Sequence, residues 1–270
     1  MKKHDMTQKI VVVTGAASGI GAAISRRFAR QGAALGLLDM DEKGIAAMAA
    51  EFNNTGIKTV PIGCDVSKES DCISAVSKII DHFSGIDILV NNAGITQRSA
   101  FVDTRSSVFR KVMAVNFFGA LHCTQAAMDS LIARKGMIIV MESIAGLAPL
   151  LGRTGYCASK HALHGLFTSL RAEIRNSGVH VMIVCPGFVE TNLQTRALGG
   201  NGRVTSHPQS RVGKQTSPQQ VADAVYQGVI KKKHLIVLSP VGKLTYWLNR
   251  IAPLLYERLM TRKLKDEIFP

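Results

Sequence analysis

Seven short apolar runs alternate along this chain with longer stretches of helical period, and that rhythm leaves few folds open. The runs are Ile10–Thr14, Ala34–Asp39, Thr59–Cys64, Ile86–Asn91, Met137–Glu142, Val179–Cys185 and His234–Leu238. They are continuous rather than alternating, the pattern of strands covered on both faces. Helices are predicted between them, near Gly19–Gln31, Glu42–Asn53, Glu69–Ser84, Val108–Lys135, Tyr156–Asn176 and Pro218–Lys231. Strand–helix alternation of this kind predicts one doubly wound α/β domain, a parallel seven-stranded sheet with helices on both faces. Apolar residues make up 46% of 270, ample for such a core.

Nothing in the sequence reads as a spanning segment or a secretory signal. No run of 18 apolar residues occurs, and only Ile10-Val11-Val12-Val13 follows the polar start. The expected compartment is the cytoplasm. Five scattered cysteines without C-x-x-C pairs read as reduced, buried side chains. His161 and His164 lie three apart, but no carboxylate or cysteine joins them at ligand spacing, so no metal is expected. The net charge is +14 and uneven, with nine Lys/Arg against three Asp/Glu from Lys231 onward. That excess admits anionic membranes, nucleic acid or acidic substrates. No nucleic-acid motif or aromatic–basic interleaving is present, so nucleic acid is not expected.

The first strand runs into Thr14-Gly15-Ala16-Ala17-Ser18-Gly19-Ile20-Gly21, which opens the first helix. Its glycines allow a tight turn, close approach of a pyrophosphate and helix–sheet packing, while the helix N-terminus attracts phosphate. Asp39 ends the second strand, where a carboxylate can accept bonds from ribose hydroxyls and repel a 2′-phosphate. Met40 follows it and the glycine turn has no Arg or Lys, so NAD is favoured over NADP. Asp39 could instead be a helix N-cap. Tyr156 and Lys160, one helical turn apart, share a helix face. A cation there should lower the pKa of the phenol from its usual value near 10. Ser143, thirteen residues earlier at a strand end, would add a hydroxyl over a substrate oxygen. Such a trio suits moving the proton of an alcohol while a cofactor moves the hydride.

The glycine segment, Asn91-Asn92-Ala93-Gly94, Asn116, Ser143, Tyr156-x-x-x-Lys160 and Pro186-Gly187 occur in order. In these motifs, over about Lys9 to Leu238, the chain resembles the short-chain dehydrogenase/reductase family. The resemblance implies a Rossmann-type fold, with Tyr156 as general acid/base and Ser143 polarising the substrate oxygen. It implies that Lys160 acidifies the tyrosine and bonds the nicotinamide ribose, and that Asn116 holds a relay water. Cofactor contacts are implied at Gly15, Ser18, Gly19, Ile20, Gly21, Asp39, Asp65, Val66, Asn92, Ala93, Gly94, Pro186, Gly187 and Thr191, besides Tyr156 and Lys160. Asn92 and Asn116 could also be core amides, and Asp65 a turn former. The resemblance implies a homo-oligomer too, dimer or tetramer, through Phe117–Lys135 and Tyr156–Asn176. The rival to an oxidoreductase is a silent nucleotide sensor or scaffold on the same fold.

Two regions lie outside the rhythm. Residues 191–217, rich in glycine and basic residues without acid, read as a flap over the substrate, or as a plain surface loop. Within the core segment 1–240, Ala145–Leu151 is apolar and tilts the substrate towards a lipophilic secondary alcohol or ketone, steroid-, lipid- or hydroxyacyl-like. In the extension 241–270, Leu244, Trp247, Leu248, Ile251, Leu254, Leu255 and Leu259 form an amphipathic stripe with basic neighbours. Pro253 should kink or divide it. The stripe can cover the cleft, pack on a second subunit or lie as a peripheral contact in a membrane interface.

Overall fold

The computed structural model describes residues 6–206 and 213–265. Seven parallel strands form one sheet: β1 (Ile10–Thr14), β2 (Ala34–Asp39), β3 (Thr59–Gly63), β4 (Ile88–Asn91), β5 (Met137–Met141), β6 (His180–Cys185) and β7 (Leu235–Val237). Their order is β3-β2-β1-β4-β5-β6-β7. The chain therefore reverses its winding between β1 and β4, and a crevice opens there beyond the strand carboxyl ends. The register is in parallel throughout, for example Val12 with Gly36 and Leu89. Five strands are almost wholly apolar and buried, which is why their sequence runs are unbroken.

Helices cover both faces. On one lie α1 (Gly19–Ala29), α2 (Glu42–Asn53) and α7 (Pro218–Ile230), packed around Phe28, Met48 and Tyr226. On the other lie α3 (Glu69–Phe83), α5 (Gly119–Ala133) and α6 (Thr154–Glu173), packed around Ile79, Leu131 and Phe167. Polar restraints mark the strand starts. The buried Asp87 carboxylate accepts from the Ile10 amide, Lys9 Nζ and Arg134, tying β1, the β4 entry and the end of α5 together. Ile86 gives its amide to Ser130 Oγ, so β4 begins at Ile88, later than the apolar run.

The single helix expected over 108–135 is not what forms. The chain makes α4 (Ser106–Met113), a π-helical turn over Ala114–Phe118, and then α5. The cause is Asn116, whose buried amide bonds Ile95 N and O and Ser159 Oγ and pulls the turn inward. Pro253 divides the tail, as its ring requires, into α8 (Pro240–Ile251) and α9 (Pro253–Leu264). Within residues 191–217, Leu198 bridges to Gln97 and Val204, while Thr216 bridges to Val189. Residues 207–212 of the expected flap lie outside the described residues. Among the described residues no helix is long and apolar enough to cross a membrane.

Candidate active site

A cavity of about 1020 Å³ lies over the strand ends at the β1/β4 reversal and runs on to the tail helices. It exceeds what one small ligand needs, since pockets commonly span roughly 300–1,000 Å³. Every residue expected to bind or react lines it except Gly21 and Asn116, which lie behind its wall.

The glycine turn is built by exclusion. Gly15 has φ +65°, and a Cβ there would come within 2.9 Å of Ala93 Cα. A Cβ on Gly21 would collide with the Gly15 carbonyl and approach Asn92 Nδ2 to 2.6 Å. Asn92 Nδ2 donates to the carbonyls of Thr14 and Gly15, at 2.9 and 3.1 Å. Thr14 Oγ1 accepts from the Asn92 and Ala93 amides, both at 2.9 Å. These bonds stitch the turn to the end of β4. Ser18 stands at the N-cap of α1 with extended backbone and no side-chain cap bond. The first amides of α1 are thus free of a capping side chain, and Gly19 and Ile20 follow along the cavity wall.

Asp39 is not the cap of α2; Asp41 is, accepting from the Gly44 amide. The Asp39 carboxylate instead accepts from Ala17 N at 2.9 Å and Asp41 N at 3.0 Å, which orients it along the turn. Asp65 makes a local turn, accepting from Ser67 N and Oγ, while it and Val66 border the cavity. Asp39, Met40, Asp41 and Asp65 thus form one acidic end of the site. A glycine turn, an uncapped helix start and an oriented carboxylate fit a dinucleotide.

Ser143, Tyr156 and Lys160 meet at the other end. Ser143 sits just past β5, with Oγ accepting from Ala145 N and hydrogen-bonded to Tyr156. Tyr156 is 8% exposed. Its phenol is not acidified as the Tyr–Lys spacing predicts. Burial pushes it up to about 12, and the Ser143 hydrogen bond and Arg153 charge only partly oppose that. Lys160 Nζ donates to Met141 O at 2.8 Å and lies 5.8 Å from the phenol ring centre. Burial drives Lys160 itself down to about 8, against the raising influence of Glu142 and Cys185. Gly94 lies beside it, where a Cβ would come within 3.2 Å of Asn116 Oδ1 and 3.7 Å of Nζ. Pro186 O accepts from Ile144 N, and Gly187 and Thr191 continue the wall. The Asn116 side chain is taken up by Ile95 and Ser159.

Two features escaped the sequence reading. Arg153, buried at the N-cap of α6, is the cation that acts on Tyr156; its place one turn before the tyrosine was a usable signal. Glu142, buried under Ser143, pairs with His164 Nδ1 at 3.0 Å. Burial raises the Glu142 pKa, and the His164 pKa is raised by the hydrogen bond to Glu142. Of the tail, whose stripe was expected to cover the cleft, pack on a second subunit or lie on a membrane, Leu244, Leu248 and Leu259 do line the cavity; Val241, Tyr256 and Met260, outside that stripe, join them. Among the described residues no group of three His, Cys, Asp or Glu side chains could hold a metal ion. All five cysteines are free and buried.

The family model for short chain dehydrogenases matches residues 9–199. The chain belongs to the short-chain dehydrogenase/reductase family. It is therefore an oxidoreductase by family. It is 33% identical to dehydrogenase/reductase SDR family member 7B of Danio rerio over 98% of this chain and 89% of that protein. It is 34% identical to the Bos taurus protein of that name, over 96% and 82%. A Burkholderia phymatum short chain dehydrogenase/reductase in complex with NAD superposes with TM-score 0.83 at 22% identity, covering 93% of this chain and 96% of that one. A Thermococcus sibiricus alcohol dehydrogenase complexed with 5-hydroxy-NADP superposes with TM-score 0.72 at 27% identity, over 84% and 93%.

Proposed function

We propose that the protein transfers a hydride between NAD and a lipophilic secondary alcohol or ketone, with Tyr156 as its proton donor and acceptor. The observation that carries this reading is one cavity joining the glycine turn, the Ser143–Tyr156–Lys160 group and an apolar wall that includes Ile144, Leu150, Phe188 and Leu248. When bound, the nicotinamide supplies or accepts the hydride. The chain's own part is the proton. A phenol held near 12 is protonated at neutral pH and set to donate to a carbonyl oxygen, while Ser143 holds that oxygen by a hydrogen bond. Lys160, near 8, can return a proton to the phenolate at working pH. Reductive turnover should therefore fall as pH rises through about 8 and Lys160 becomes neutral.

The acidic end supports NAD over NADP, since a 2′-phosphate beside the Asp39 carboxylate would meet like charge. Residues 191–217 serve as a substrate flap in this reading, with Asn192, Leu193 and Arg196 on the cavity wall. Assembly into a dimer or tetramer would use α6 and the π turn with α5, where Phe118 and Ile132 stand exposed.

The test is NAD reduction, and the reverse, across secondary alcohols and ketones from sugars to steroids and long-chain hydroxyacyl compounds. Tyr156→Phe should lower turnover of a lipophilic member by about 10²–10⁴-fold. Near wild-type turnover in that variant removes the tyrosine from the mechanism. Turnover confined to sugars removes the lipophilic substrate.

A further inference from the structure

Most of the amphipathic stripe of the tail is exposed. Leu244, Trp247 and Ile251 on α8 are 65%, 58% and 76% exposed, and Leu254, Leu255 and Leu259 on α9 are 69%, 49% and 45%. Half of the exposed large apolar side chains among the described residues thus sit on two short helices, if Val241 at 39% is added to these six. Such a patch marks an interaction surface. The two helices pack on each other, and Leu244 and Leu259 both also line the cavity, so their exposed faces meet at its mouth. Only the inner side is anchored. Tyr256 donates to Pro149 O and Asn249 to Leu147 O, each at 3.0 Å, which fixes how the outer side is presented.

Charge identifies what covers it. Lys243, Arg250, Arg258, Arg262, Lys263 and Lys265 are all exposed on these helices or just past α9, against one acid among the described residues, Glu257, with Asp266 and Glu267 following in the sequence. A second copy of the chain on a two-fold axis would set this cationic rim against its own like. An anionic bilayer meets both parts at once, accepting the apolar side chains below the headgroups and the cations among the phosphates. Tyr246 and Trp247, in ring contact at 5.3 Å, are residue types suited to that boundary.

We propose that the outer face of α8 and α9 docks on an anionic membrane surface, with the cavity mouth turned to the lipid. An enzyme seated this way would draw a lipophilic substrate directly from the bilayer. That consequence rests on the proposed reaction; the docking does not.

Trp247 is the chain's one tryptophan and reports on the patch directly. The full chain would be mixed, without substrate, with vesicles of phosphatidylcholine alone or with equal phosphatidylglycerol. Expected are co-sedimentation with the anionic vesicles, weakening as salt rises, a blue shift of Trp247 emission, and its quenching by brominated acyl chains. Ile251→Asp with Leu254→Asp, at exposed positions away from the cavity wall, should weaken binding about tenfold or more and leave turnover of a dispersed substrate unchanged. The proposal is overturned if the wild type neither sediments with nor shifts on anionic vesicles. It is also overturned if the double variant binds as well as the wild type, or if that variant changes the sedimentation mass of the free protein. Because no turnover is read in the binding arm, failure there leaves the proposed reaction standing.

Discussion

Around Gly15 and Asn92 the cavity wall is backbone, locked by the Asn92 amide and Thr14 hydroxyl to within 2.9–3.1 Å. Across the same cavity, around Leu248 and Tyr256, the wall is two short helices anchored through side-chain bonds to residues 147 and 149. The first wall grows out of buried parallel strands and has no slack: a single methyl group at Gly21 meets a carbonyl. The second turns its apolar face to solvent and contributes no strand to the sheet. In the proposed reaction the contrast follows from what each half would bind. A dinucleotide common to many enzymes would be held by backbone, which tolerates little change. A particular substrate would be held by side chains on peripheral helices, which can vary freely.

The comparison breaks first at Gly21→Ala. The added Cβ must displace either the Gly15 carbonyl or the Asn92 amide, and both are bonded. Overpacking of this kind costs about 3 kcal/mol. Dinucleotide affinity should fall further than stability, because the displaced carbonyl belongs to the turn itself. Calorimetric titration with NADH beside thermal unfolding separates the two; unchanged affinity would show that the turn is not the phosphate cradle.

Asp87→Asn comes next. Burial alone would raise this carboxyl, but hydrogen bonds from Arg134, the Ile10 amide and Lys9 outweigh it and hold the pKa below its ordinary value. A depressed carboxylate adds stability that is present above the unfolded value of 3.8 and lost as pH falls through the folded pKa. Asparagine should cost about 2 kcal/mol at neutral pH and flatten the acid limb of the stability curve. An equal acid limb in both proteins would assign acid unfolding to other carboxylates. The cavity and tail should be untouched by this change, since Asp87 lies at the opposite ends of the strands.

These two rigid features were also the legible ones. Unbroken apolar runs gave away the sheet because strands covered on both faces have no polar side to show, and α2 appears from Glu42 to Asn53 as its period implies. The glycine turn announced itself because only glycine fits there. What stayed hidden depends on distant contacts. The π turn at Ala114–Phe118 exists because Asn116 finds Ile95 and Ser159, and periodicity carries no trace of that. Four-residue spacing put Tyr156 and Lys160 on one face but carried no trace of the burial that holds the phenol near 12 against the Ser143 hydrogen bond and the Arg153 charge. The tail's stripe was plain, yet whether it faced protein or solvent turned on helix placement alone.

Tyr256→Phe is the smallest change and the sharpest test of the contrast. Tyr256 is buried, and its hydroxyl, pushed up to about 12 by burial, stays protonated and donates to Pro149 O at 3.0 Å. Phenylalanine keeps the ring in place and removes one bond, worth about 1 kcal/mol. If the tail opens on its own, that loss appears only where α9 leaves the cavity, because local opening costs less than global unfolding. Amide exchange in α9 should quicken about fivefold while amides of β1 and β4 keep their rates, and the melting temperature should barely move. Equal acceleration in α9 and β1 would mean that both walls unfold as one unit, and the division between a rigid cofactor wall and a separable substrate wall would be wrong.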